Sequence, residues 1–349
     1  MRKRLINGRV LYTDSTHLKA SANKNKFKKK QVEKTTRSYL ADLEESITVD
    51  RKAHGKKALK AKEQEPETRE VKSIPIDPDC GYMVRDGKPK GFFYLDHRTT
   101  CGKHNLITDT HVTAANIHDS IPYLERLDRQ RQRFNFTTEA VGLDAGYMSA
   151  PICKGLEDRN LYGVIGYRRP PHIKGRLYKR EYIYDSKADG YRCPNGQLLT
   201  YRTTNREGYR EYRSDPKICQ HCPLLAQCTS NAQYVKTVTR HVWEDYREKV
   251  DSHRKTKEGK ALYKRRKETV ERSFADAKQL HGHRYIRMRG LLRAQEQCLL
   301  SAACQNIKKM ALMLGNSEGK SKKGSTRPFF RLLVGGFELM GLSRQFAEG

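Results

Sequence analysis

Apolar positions in the first half of the chain fall in short runs, not helical stripes. Arg9-Val-Leu-Tyr-Thr-Asp14 is a β-prone run that ends at an acid. Gly91-Phe-Phe-Tyr-Leu-Asp-His97 and Leu106-Ile-Thr-Asp-Thr-His-Val112 read as a strand pair separated by the turn-forming Cys101-Gly-Lys-His-Asn105. Ala140-Val-Gly-Leu-Asp144 and Leu161-Tyr-Gly-Val-Ile-Gly166 are further buried strands. Helical spacing enters between them. His118-Asp119-Ser120 supplies capping side chains before Ile121, Leu124 and Leu127, and Ala150 to Arg159 forms a short helix. The order β-β-β-α-β-α-β predicts an α/β fold, a mixed sheet flanked by helices.

Two stretches break this pattern. Asn23 to Glu70 is rich in Lys, Arg and Glu with few large apolar side chains, so a basic insertion over 23–75 is expected to be a solvated helical excursion or partly disordered, outside the core. After Pro170-Pro171, Tyr, Arg, Gly and Cys replace the aliphatic residues, and 170–240 is expected to form a small fold of its own. Helical character returns from about Trp243. From Leu291 to Leu314, the residues Leu292, Leu299, Ala303, Ile307, Met310 and Leu314 share one helical face, which is expected to pack on the sheet. The expected organisation is therefore a first part over 1–169, the insertion over 170–240, completing helices over 241–315 and a tail over 316–349, in which Phe329 to Leu342 could dock as an apolar element.

Charge narrows the class of partner. Across 349 residues, 70 Lys and Arg face 40 Asp and Glu, for a formal net charge of +30, which calls for a polyanion. No apolar run reaches the roughly 18 residues of a spanning helix, and the N-terminus lacks a signal-peptide core, so the expectation is a soluble, cytoplasmic protein that binds nucleic acid and not a membrane. Nine cysteines are too few for a disulfide scaffold, and the 12 histidines single out no catalytic one.

Phosphodiester cleavage by two metals requires clustered carboxylates, because hard Mg²⁺ prefers oxygen and one carboxylate cannot hold two ions about 4 Å apart. Asp14 and Asp144, each at a strand end, would meet if their strands were neighbours. Taken singly, an acid after a strand is more often a turn or cap residue, and Ala145-Gly146 after Asp144 strengthens that reading. Glu271, Phe274 and Lys278 lie at i, i+3 and i+7 of a helix and share a face, a pattern that a solvated, salt-bridged helix would also show.

Taken together, the blocks are more specific. Tyr12-Thr-Asp14-Ser-Thr-His-Leu-Lys-Ala, Val141-Gly-Leu-Asp144-Ala-Gly-Tyr, and Val270-Glu271-Arg-Ser-Phe274 followed by Lys278, His281-Gly282 and Arg287-Met-Arg-Gly290 occur in an order that resembles the three catalytic blocks of Asp-Asp-Glu (DDE) transposases of bacterial insertion sequences. The resemblance spans roughly residues 5 to 315 and is nearest to the group with a cysteine-containing insertion before the glutamate. It implies a ribonuclease-H-like catalytic domain with a small Cys-containing insertion between the second Asp and the Glu. It also implies metal-dependent cleavage of transposon-end phosphodiesters and strand transfer into target DNA. Asp14, Asp144 and Glu271 would be the catalytic ligands of two Mg²⁺ or Mn²⁺ ions. Partners would be double-stranded DNA, as transposon ends and target, with a homodimer assembled on DNA. The family signature Tyr-x2-Arg-x3-Glu-x6-Lys is met by Tyr263, Arg266, Glu271 and Lys278 except that four residues, not three, separate Arg266 from Glu271. Lys278, Arg266, Tyr263, Arg287 and Arg289 are the expected DNA contacts. Relatives carry an N-terminal DNA-binding region ahead of the first aspartate, so a truncated copy is expected here. The alternatives are a nuclease on the same core without strand transfer, and a DNA-binding remnant without catalysis.

Two features stand apart from the acids. Cys193, Cys219, Cys222 and Cys228 include one Cys-x2-Cys knuckle and offer four thiolates to a structural Zn²⁺, the alternative being an unmetallated knuckle; Cys80, Cys101, Cys153, Cys298 and Cys304 read as ordinary. Tyr167-Arg-Arg169, Arg176 to Tyr184, Tyr191-Arg192, Tyr201-Arg202 and Tyr209 to Arg213 interleave rings with cations; as a set they are expected to stack on bases and neutralise phosphates, while any one tyrosine reads equally as filling β-structure and any one arginine as solvating it. Lys255, Lys257, Lys260, Lys264, Arg265, Arg266 and Lys267 would guide a strand toward the acids.

Overall fold

The computed structural model describes residues 5–33, 39–60, 68–84, 87, 89–169, 171 and 173–319. At its centre β1 (Val10–Lys19) pairs antiparallel with β5 (Gly91–Cys101) and parallel with β7 (Ala140–Leu143), which is parallel to β8 (Tyr162–Ile165). Two strands, β4 (Gly81–Met83) and β6 (Ile107–Ala114), both pair antiparallel with β5. The result is the mixed sheet that a ribonuclease-H-like fold calls for. β1 is longer than its apolar run: Ser15 to Lys19 continues the period-2 alternation, Leu18 is buried, and nine residues of β1 are matched to β5.

That alternation assigns the two faces. Leu11 packs with Val141, Leu143 and Ile165 against α2 (Tyr123–Phe134) and α3 (Ala150–Asp158) through Leu127, Ile152 and Leu156, each buried aliphatic contributing about 1.5–3 kcal/mol. α2 begins at Tyr123, beyond the expected His118-Asp119-Ser120 cap, and Ile121 is exposed. Tyr12 points the other way, onto Val270 and Phe274 of the C-terminal helical segment. Asp14, two residues further along β1, therefore falls on this second face.

The basic insertion is more ordered and more buried than its composition predicts. β2 (Lys28–Glu33) and β3 (Thr68–Ser73) form an antiparallel ribbon, and α1 (Leu40–Ala53) lies between them in sequence. Leu43 and Ile47 of α1 are buried against Trp243, two apolar side chains one turn apart being enough to dock a helix that is otherwise polar. The second insertion is a five-stranded antiparallel sheet, β9 (Ile183–Asp185), β10 (Gly190–Arg192), β11 (Leu198–Thr204), β12 (Tyr209–Arg213) and β13 (Thr237–His241), with the one-turn helices α4 (Pro216–Cys219) and α5 (Leu225–Cys228) before the last strand. Its core is Tyr182, Tyr191, Leu199, Tyr212 and Val238. The interleaved tyrosines are thus in part core residues and cannot stack on bases. Several of the cations among them have local partners as well: Arg192 pairs with Asp185, Arg210 with Asp50 and Arg213 with Glu211. Tyr167 and Tyr209 remain exposed.

The C-terminal segment comprises α6 (Glu244–His253), α7 (Lys257–Lys264), a π-turn (Lys267–Glu271), α8 (Arg272–Leu280) and α9 (Leu291–Gly319). α9 corrects the expected packing face. Leu292 and Leu299 are exposed, whereas Ala294, Cys298, Ser301 and Ala302 are buried. Ala294 and Cys298 share a cluster with Phe92, Tyr94 and Val112, and Gln295 accepts from the Val112 amide and donates to the Thr110 carbonyl. Small residues let the helix approach the sheet closely, and Gln295 completes hydrogen bonds at β6, so close approach outweighs hydrophobicity here. The chain divides into two compact units within α9, Met1–Ala302 and Ala303–Gly349. Phe329 to Leu342 lies outside the described residues.

Candidate active site

The sheet register brings the two aspartates together. Thr13 of β1 is matched to Leu143 of the parallel β7, so Asp14, in the middle of β1 and not at its end as the apolar run suggests, stands level with Asp144, the first residue past β7. Glu271 arrives from the other side, at the junction of the π-turn with α8, which Phe274 and Val270 fasten over Tyr12.

Arg266 shows how closely the three converge. Its guanidinium, 2% exposed, lies with Nη2 2.8 Å from Asp14 Oδ2, and Nη1 3.7 Å from Asp144 Oδ1 and 3.6 Å from Glu271 Oε1. One planar cation thus faces three carboxylates from three separate elements. Arg266 Nη1 also donates to the Tyr263 hydroxyl at 3.3 Å. That hydroxyl sits so near Gly166 that a Cβ there would come within 2.4 Å of it, so a glycine at the end of β8 makes room for Tyr263. From the sequence, Tyr263 and Arg266 are expected to reach DNA. Arg266 instead is buried and directed at the acids, with Tyr263 beside it.

The extra residue between Arg266 and Glu271 also finds its place. In a regular α-helix a residue five positions on points away from its origin, but here the Glu271 amide donates to the Arg266 carbonyl at 3.2 Å, an i to i+5 bond. The π-turn takes up the additional residue, and Arg266 and Glu271 end on the same side.

Electrostatically the site is short of positive charge. Burial pushes the Asp14 carboxyl up; Arg266 and the Ser15 amide, which donates to Asp14 Oδ1 at 2.8 Å, pull it down, while Asp144 and Glu271 raise it again, and the outcome is about 6 against an ordinary 3.8. The Asp14 side chain is 21% exposed, Asp144 51% and Glu271 43%, so one acid forms the floor and two remain open to solvent. A donor set of three carboxylates, all oxygen and still under-neutralised beside a guanidinium, fits a hard divalent cation. Asp14, Asp144 and Glu271 are the residues that could hold it.

An open cleft of about 390 Å³ borders Asp14 and Glu271 and is lined further by Thr16, Phe274, Lys278 and Arg284. Glu271, Phe274 and Lys278 thus share this wall. Arg287 and Arg289 are exposed on the segment after α8, whose Ile286 amide donates to the carbonyl of Lys19 at the end of β1. Arg284, in the cleft, was not picked out by sequence, having no spacing that separates it from the many other cations.

A buried polar group beneath α8 was also missed. Asp96 and Arg98 of β5 stand opposite Thr16 and Asp14 on β1. Arg98 donates to Asp96 at 2.8 Å and to the Ser273 hydroxyl at 2.9 Å, and lies 4.8 Å from the Phe274 ring centre. His283 Nε2 is 2.8 Å from Asp96 Oδ2. Although burial opposes ionisation, Arg98 and His283 hold the Asp96 carboxyl below its ordinary range. Asp96, His283 and Cys298 are close enough to hold a metal, but the guanidinium already bonded to Asp96 makes this an ion-paired mount for α8. Opposite charges at i and i+2 of a strand with no other Asp, Glu, Lys or Arg were the available signal.

In the second insertion, Cys193, Cys219, Cys222 and Cys228 line one small cavity. All are free thiols. Among the described residues, no three of the four sulfurs come within 4.8 Å of one another.

Comparison with known proteins gives a family match over part of the chain. Residues 192–311 match the family described as Transposase DDE domain, a segment that contains Glu271 and Lys278 but neither aspartate. No curated protein matches the chain. Among solved structures, the chain is similar to a piggyBac transposase synaptic complex with hairpin DNA, at 11% identity and a TM-score of 0.33, covering 98% of this chain and 55% of that one. Among the described residues no helix is long and apolar enough to cross a membrane.

Proposed function

We propose that the protein is a DDE transposase that uses Asp14, Asp144 and Glu271 to hold two Mg²⁺ or Mn²⁺ ions, cleaves phosphodiesters at transposon ends and transfers the strand to target DNA. The observation that carries this reading is the meeting of three acids from distant parts of the sequence around Arg266. The family match over 192–311 supports it independently of the geometry.

When bound, the metals supply Lewis-acid activation of a water or a DNA 3′-hydroxyl and neutralise charge gathering on the phosphate. The chain's own residues prepare that chemistry. Arg266 keeps three mutually repelling carboxylates together before any metal arrives, and Tyr263 fixes its orientation. Phe274 anchors α8, so that Glu271 is presented from a rigid helix. Lys278 and Arg284 border the cleft beside the acids, where a DNA phosphate would be drawn by their charge. The Lys and Arg excess would bring duplex DNA to this face at a rate that falls with salt. The insertion-sequence grouping, the homodimer on DNA and Arg287 and Arg289 as further phosphate contacts belong to the same reading.

The test is conversion of supercoiled plasmid to nicked and linear forms in Mn²⁺, with joining of a 3′-hydroxyl oligonucleotide as second readout. Glu271→Gln should lower cleavage by about 10²–10³-fold, the loss expected when several kcal/mol of metal-assisted stabilisation disappear. Nicking without joining would favour a nuclease. Equal activity in wild type and Glu271→Gln would defeat the assignment.

A further inference from the structure

The stretch from Asp215 to Lys236 contributes no buried residue. It still follows a defined path through α4 and α5, four residues each, turned by the Cys219 amide donating to the Asp215 carbonyl, the Cys222 amide to Cys219 and the Leu225 amide to Cys222. Helices of one turn do not hold themselves in water, and the nearest core is five residues of which three are tyrosines. Something other than apolar burial must keep this stretch in place.

What it does bring inward is sulfur. Cys193 from the turn after β10, Cys219 and Cys222 from α4 and its exit, and Cys228 from α5 all line one cavity of about 20 Å³. That is room for a single water-sized occupant. Leu177, Leu199, Ile218 and Leu224 make up the apolar part of the remaining wall, and Tyr182, Asn195 and Lys236 are among its polar residues. Donors are aimed at the sulfurs. Asn195 Nδ2 donates to Cys222 Sγ at 3.6 Å, the Tyr182 hydroxyl is hydrogen-bonded to Cys228 Sγ at 3.1 Å, and Lys236 Nζ, 2.9 Å from the Cys228 carbonyl, brings a cation to the rim. Such partners serve a thiolate better than a thiol, and they are the outer contacts that orient a metal-bound sulfur.

We propose that Cys193, Cys219, Cys222 and Cys228 form a structural zinc site that fastens the segment 215–236 to the sheet of the second insertion. Four thiolates suit Zn²⁺ and fill a tetrahedral shell, leaving no position for a water, so the role is structural. The sulfurs stand wider apart than ligands of one ion, and binding closes them inward. The segment can follow because none of its residues is fully buried and its ties to the rest include single hydrogen bonds, such as those from Arg176 Nη1 and the Leu177 amide to the Ala226 and Gln227 carbonyls, which makes ion binding and local folding one step. Two charges in excess on a tetrathiolate zinc would be offset in part by Lys236. The site is independent of the acidic centre and stands or falls without it.

The full chain, purified with a reductant and without added metal, should contain about one zinc per molecule by elemental analysis, released by thiol-blocking mercurial. Cys193→Ser and Cys222→Ser should each lose most of that zinc, while Cys304→Ser, outside the cluster, should keep it. Should either serine variant fail to fold, the native chain answers instead. Stripping zinc with a high-affinity chelator should speed proteolysis within 215–236 roughly tenfold or more, re-addition of zinc chloride should restore resistance, and the cutting rate of α2 and α3 should not change. Absence of zinc, iron in its place, retention of zinc by Cys222→Ser, or a cleavage rate within 215–236 indifferent to the chelator would each overturn the site.

Discussion

Replacing Asp14 by asparagine should stabilise the metal-free protein while removing its capacity for metal. The carboxyl of Asp14 sits at about 6 in the folded chain against 3.8 ordinarily, a gap worth about 3 kcal/mol. The sign follows from linkage. A carboxyl raised on folding binds its proton more tightly in the native state, so stability is highest below 3.8, declines as pH rises toward 6, and above 6 carries the whole cost of an ionised Asp14. Asparagine has nearly the same shape and no charge, and the attraction of Arg266 at 2.8 Å for the ionised carboxylate is already contained in that net figure. The expected balance for Asp14→Asn at pH 7.5 in EDTA is a gain of about 2–3 kcal/mol, shrinking to zero or reversing near pH 4. Urea unfolding at several pH values measures it. Adding Mn²⁺ should then invert the order, because ligand that binds only the native state stabilises wild type by RT ln(1 + [L]/Kd), and the variant has lost a ligand. A variant less stable than wild type at pH 7.5 in EDTA, or one that gains as much from Mn²⁺, would refute the reasoning that the acids are assembled at a cost which only a cation relieves.

Three further outcomes are expected. Arg98→Met leaves Asp96 buried without its guanidinium and should cost about 3–5 kcal/mol in urea unfolding, whereas the double change with Asp96→Asn should recover part of it. Deleting Lys267, an exposed residue of the π-turn, should convert that turn to regular α-helix and keep Arg266 facing Glu271, with a melting temperature within a few degrees of wild type; deleting Arg272 from α8 instead rotates the flanks by about 100° and should unfold the segment. Trp243→Ala removes the side chain against which Leu43 and Ile47 pack, should cost about 3–5 kcal/mol, and should expose α1 to protease before the central sheet is cut.

Much of the central sheet was legible because period 2 and short apolar runs are local properties. β5, β6, β7 and β8 fall where the runs of Phe, Tyr, Leu, Val and Ile lie, and the second insertion is set off by a change of composition before its strands begin. The three acids proposed for the site lie far apart in sequence yet face one guanidinium, and the helical spacing of Glu271, Phe274 and Lys278 is carried into one wall of the cleft.

What tertiary structure alone decided is which of several equally plausible surfaces was turned inward. Leu292 and Leu299 of α9 are exposed while Ala294 and Cys298 are buried, since how closely a helix can approach a sheet depends on the partner. Leu43 and Ile47 gain their meaning from Trp243, about 200 positions away. Tyr191 and Tyr212 became core and Arg266 a clamp for carboxylates because a charge or a ring in sequence does not state its neighbour. The wide turn before Glu271 shows the division most sharply: the count of residues was visible, but only the hydrogen bond from the Glu271 amide to the Arg266 carbonyl determined that the surplus one would be looped out and the two side chains kept together.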